Sequence, residues 1–178
     1  MKHRGPRILS AAQRISMAAM AASLSLVCLY LASIAPTLRI TLYVLSSLFI
    51  AALLIEGEVL MGWIMYLGVC MLGSVLIQDK VRLLPYVVFF GNYGIVKYYT
   101  EKLGSLVGEF ILKLIYWNAV LVLTVNLAKR MLLADIRLDF PVWGIIVLAQ
   151  IAFLIYDYVF SRIIEFYYLR IRRYVMRG

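Results

Sequence analysis

Glu109 and Lys113 stand four residues apart in an otherwise apolar stretch, acid first, the favourable order for an ion pair along one helix. Asp157, flanked by Tyr156 and Tyr158, lies in a second such stretch. A charge at the centre of a bilayer costs about 2.5–3.5 kcal/mol on insertion scales, so intramembrane ionisable groups are functional candidates by default. Each also has a structural reading. Glu109 and Lys113 are close enough to the end of their stretch to snorkel towards water. Asp157 can serve as a proton or ligand site, or can lock two helices by pairing with a basic group such as Arg162 or one from a neighbouring loop.

Uncharged polar groups offer a second kind of chemistry. Asn118, Asn126 and Gln150 carry amides that either bridge helices or line a polar pocket. Gln150 falls near mid-membrane, Asn126 lies higher, and Trp143 caps the same stretch as Gln150 at the depth of an interfacial anchor. With Arg39 and Tyr86 at the same level, the five residues Arg39, Tyr86, Asn126, Trp143 and Gln150 are expected to surround an outward-facing site for a small polar ligand. The sequence has no glycine-rich phosphate loop and no His/Cys/carboxylate metal spacing, and its one histidine, His3, is near the N-terminus. An enzyme, a metal centre and a resident cofactor are therefore not expected. Cys28 and Cys70 sit singly in apolar runs and read as buried small hydrophobes.

The elements that must position these groups follow from composition. Of the 178 residues, 65% are hydrophobic and 15% charged, and the mean hydropathy is +0.93. A soluble domain is nearer half apolar and a quarter charged. A membrane span takes about 20 apolar residues. The expected architecture is all-α, a polytopic membrane helical bundle forming one integral domain over 1–178. Six spans are read at about 15–34, 40–55, 59–77, 83–99, 106–128 and 142–160. The first is kept as a span rather than a cleaved leader, because Pro36 is a poor residue after a cleavage site. The fourth is the least regular, being interrupted by Pro85, Gly91, Asn92 and Gly94.

Basic residues set orientation. Six spans place Lys2, Arg4, Arg7, Arg14, Lys97, Lys102, Arg162, Arg170, Arg172, Arg173 and Arg177 on one side, against Arg39, Lys80, Arg82, Lys129, Arg130 and Arg137 on the other. That eleven-to-six bias makes the first side, with both termini, cytoplasmic. The net charge of +9 then reads as topology signal and lipid-headgroup contact rather than nucleic-acid binding. The segment 161–178 alternates basic residues with tyrosines and apolar residues, a pattern for the anionic inner interface. Localisation in a bacterial cell membrane, multi-pass, follows.

The first span carries Ala18-Ala-Met-Ala-Ala22, small residues at four-residue spacing where another helix can approach closely, either within the chain or in a partner. Six short spans, a basic N-terminus and this Ala-x-x-x-Ala motif resemble the substrate-binding S components of energy-coupling factor transporters. The resemblance implies that Ala18 and Ala22 face a transmembrane coupling subunit with associated ATPases, and that a vitamin-like solute binds near the outer surface. Through Leu31-Ala-Ser-Ile-Ala-Pro36, Phe89-Phe-Gly-Asn-Tyr93 and Tyr156-Asp-Tyr158 the chain also looks like a group of small clostridial-type membrane proteins, a likeness that brings no function. The expected role is capture of a small solute for an ATP-driven transporter. The alternative is a non-catalytic scaffold of envelope assembly, similar to the small rod-shape-determining membrane proteins.

Overall fold

The computed structural model describes residues 10–56, 58–132 and 142–166, with the backbone alone at 106, 128–132, 142, 143 and 145. The regular elements among them are all helical: α1 (Ala11–Ile34), α2 (Arg39–Ile55), α3 (Val59–Leu76), α4 (Lys80–Pro85), a π-helical turn (Tyr86–Phe90), α5 (Gly91–Glu101), α6 (Leu106–Leu132) and α7 (Val142–Phe166). The helices α1, α3, α6 and α7 each hold a segment long and apolar enough to cross a membrane. The protein is membrane-embedded, and its exposed surface is rich in side chains such as Met71, Val75, Val107 and Leu148. Helix α2 is apolar but has 17 residues. The stretch from Lys80 to Glu101 gains its length from three consecutive helical pieces.

Helix starts and stops follow local chemistry. Ser10 caps α1 through a capping box, its hydroxyl accepting from Gln13 N–H while the Gln13 side chain accepts from Ser10 N–H. Pro36, two residues past Ile34, cannot continue the helix. The chain reverses there, and α1 and α2 run antiparallel. Arg14 near the start of α1 pairs with Glu58 beyond the end of α2 at 3.0 Å. Ser25 donates to Ser46 O at mid-length, and Arg39 to Ala32 O at the far end. These define a Ser10 end and a Pro36 end of the bundle.

Two cores result. One joins α1, α2, α3 and the π turn around Leu29, Tyr43, Ile50, Val69 and Tyr86. The other joins α2, the π turn, α5, α6 and α7 around Phe89, Tyr93, Val120, Phe153 and Phe160. The π turn feeds both. Pro85 supplies no N–H, and just after it the ladder shifts so that Gly91 N–H bonds Tyr86 O, five residues back. The Tyr66 hydroxyl donates to Val87 O within this turn at 2.8 Å. A Cβ on Gly91 would lie 2.8 Å from two atoms of the Tyr66 ring and 2.9 Å from Tyr86, so only glycine allows this approach.

Candidate functional site

At the Ser10 end, α5, α6 and α7 are joined by one buried charge network. Asp157 on α7 is its centre: Oδ1 accepts from Lys97 at 2.7 Å and from Tyr93 at 2.5 Å, and Oδ2 accepts from Lys113 at 3.2 Å. Lys97 also pairs with Glu101 at 2.6 Å and donates to Ser161 Oγ at 2.8 Å. Lys113 also pairs with Glu109 at 2.5 Å. The Lys97 and Lys113 side chains are 2% and 6% exposed, so the lysines are the most deeply buried charges and the carboxylates are arranged around them. This is the helix-to-helix lock, made by Lys97 and Lys113 in place of Arg162, which pairs with Glu165 and Tyr158 on its own helix.

Counted from the sequence among the inner-side charges near the end of the 83–99 span, Lys97 lies inside α5 with its side chain buried. The signal was present in the spacing Tyr93, Lys97, Glu101, which puts three polar side chains on one helical face. Ser161 and Lys97 are as close as a nucleophile and its base. Yet Lys97 Nζ is directed at Asp157, Ser161 and Glu101 together. Ser161 itself donates to Asp157 O at 2.7 Å. The arrangement holds helices together.

Towards the Pro36 end, Pro85 of α4, the π turn, α2, α6 and α7 line a half-open cavity of about 270 Å³. Its walls include Phe89, Phe90, Trp117, Phe153 and Tyr156, with Ile40, Val44, Val120, Leu121, Thr124 and Ala152 beside them. The rings support one another: Trp117 and Phe153 stack at 4.9 Å and 9°, and Phe89 meets Trp117 edge-on at 4.9 Å. Phe90 meets Tyr156 edge-on at 5.6 Å. Asp157 follows Tyr156 in the chain, so the lock and the cavity wall share one helical turn. A second cavity, of about 260 Å³, lies at the Ser10 end against Ala51, Leu54, Lys97 and Glu101. A third, of about 410 Å³, lies at the Pro36 rim against Tyr30, Ser33, Asp79 and Arg82.

The expected polar ligand site is not gathered. Arg39 bonds the end of α1 at Ala32 O. Tyr86 is fully buried in the first core, and its hydroxyl has no partner among the described residues. Asn126 is exposed and folds back onto Val122 O of its own helix at 2.8 Å, a local bond that needs no second helix. Gln150 donates to Asn118 at 2.9 Å, bridging α7 and α6, and its buried Oε1 has no partner among the described residues. The Trp143 side chain lies outside the described residues. None of Arg39, Tyr86, Asn126 and Gln150 lines the three cavities above. The cavity at their level is walled by aromatics. Ala18 and Ala22, with Ala21, pack against the chain's own first core, the intramolecular use of small residues.

Compared with known proteins, the chain matches no family model, no curated protein and no solved structure. Its function has to be read from the site's own chemistry.

Proposed function

We propose that this chain is the membrane-embedded substrate-binding subunit of an ATP-driven uptake transporter, capturing a small, vitamin-like solute in the aromatic-walled cavity. The observation that carries the reading is that cavity: concave, about 270 Å³, walled mainly by aromatic and aliphatic side chains, as binding sites for small molecules are. In this reading the protein crosses a bacterial cell membrane six times, the Lys80–Glu101 stretch forming the fourth passage, with both termini cytoplasmic. Leaving the buried Lys97 out of the count gives ten basic residues on the inner side against six outside, and the bias keeps its sign. The cavity then lies in the outer half of the bilayer, where an uptake protein meets its solute.

Its sequence holds no nucleotide-binding loop, so energy enters through a partner that favours one conformational state over another. The test is to purify the tagged chain from its native membrane and identify the proteins retained. A transmembrane coupling subunit with ATPases is expected. Retention of envelope-assembly enzymes without an ATPase would overturn transport in favour of a scaffold.

A further inference from the structure

We propose that the solute held in the aromatic-walled cavity is a flat, uncharged aromatic molecule of one or two fused rings, and that charged versions of the same skeleton are rejected. This rests on the cavity being a solute site, as argued above, and assigns it a substrate class. Three observations carry it. The first is that, among the described residues, no charged side chain lines the cavity. The nearest carboxylate along the chain, Asp157, has both oxygens occupied by Lys97, Lys113 and Tyr93. The Tyr156 hydroxyl is already bonded to Ser47 at 3.1 Å, which leaves the Thr124 hydroxyl and the Trp117 indole N–H, unpartnered among the described residues, as uncharged polar groups of the wall. A charge carried into this space meets no counter-charge among the described lining residues, and burying one unpaired is costly.

The second observation is ring geometry. Trp117 and Phe153 lie parallel, with Phe89 edge-on to Trp117, the offset and edge-to-face contacts that aromatic pairs prefer. A flat ring system extends such a cluster, whereas an acyl chain fills the same volume without using the ring faces. The third is size. An apolar cavity of about 150 Å³ accommodates benzene, so about 270 Å³ suits one or two fused rings.

Indole, quinoline and indole-3-acetate serve as probes, measured by equilibrium dialysis against the full chain in lipid nanodiscs. Saturable 1:1 binding of indole or quinoline is expected, with indole-3-acetate weaker by roughly a hundredfold or more. Ala152→Phe, which fills the cavity, is expected to lower the neutral-probe affinity by roughly tenfold or more. Leu121→Trp, at a lining position on α6, provides the same test where the first variant does not fold. Equal affinity for the charged probe, absence of saturable binding by both neutral probes, or wild-type affinity in a folded filled variant would each overturn the proposal. So would strong quenching of Trp117 by brominated acyl chains that indole fails to relieve, in a chain whose Trp63 and Trp143 are replaced by phenylalanine, because a lipid tail would then be the occupant. Neutral-probe binding without co-purifying ATPases would leave this site standing and remove the transport reading, and the reverse result would do the opposite.

Discussion

Asp157 receives bonds from two lysines on two other helices, and each lysine keeps a carboxylate on its own helix, Glu101 for Lys97 and Glu109 for Lys113. Asp157→Asn therefore removes the charge pairing of α7 with α5 and α6, while the intrahelical pairs and the longer Lys113–Glu101 contact of 3.8 Å between α6 and α5 survive. Hydrogen bonds to charged groups contribute about 1.5–3 kcal/mol each. With one acceptor for Tyr93 retained, a net loss of about 2–3 kcal/mol is expected, seen as a lower unfolding midpoint in detergent micelles. Glu109→Gln leaves Lys113 bonded to Asp157 and is expected to cost under about 1 kcal/mol, as pairs along one helix do. Equal losses for the two variants would contradict a network centred on Asp157. At this scale the sequence was half legible. Glu109, Lys113 and Asp157 stand out because charge is rare in apolar stretches. Lys97 did not, because it lies near the end of a run where a basic residue reads equally well as a loop charge.

Among the elements, the first three helices were legible to within about four residues, since Pro36, Glu56 and Asp79 interrupt the apolar runs, whereas α6 and α7 run on to Leu132 and Phe166, past the ends read at 128 and 160. The interior of the Lys80–Glu101 stretch was not legible. Pro85 and Gly91 predict an irregularity, but not that the chain inserts a π turn, which depends on Tyr66 reaching over from α3. The polar pocket failed for a related reason. Placing Asn126 and Gln150 by depth ignores rotation about the helix axis, and each amide finds a nearer partner in its own or the adjacent helix. For the π turn, Gly91→Ala drives a methyl group into the Tyr66 ring and is expected to cost about 1–3 kcal/mol. In a Tyr66→Leu background the same change is expected to cost measurably less. A double-mutant cycle with no coupling between positions 66 and 91 would show that the turn does not depend on this contact.

On the scale of the whole molecule, helices at the Ser10 end carry the charge lock and those towards the Pro36 end wall the aromatic cavity, an asymmetry that matters only if the two ends face opposite compartments. Topology reporters placed in the Glu56–Glu58 turn and after Arg177 are both expected to read cytoplasmic, and one within the Gln78–Lys80 connection to read external. An external C-terminus would remove the six-passage arrangement and with it the outer position of the cavity. The central claim, that the aromatic cavity captures a small solute, is tested most directly by native mass spectrometry of the chain released from its own membrane, alongside Ala152→Phe. The account predicts a non-lipid small molecule retained by the wild-type chain and lost from the folded variant. Identical spectra from the two, carrying lipid alone or no adduct, would contradict it.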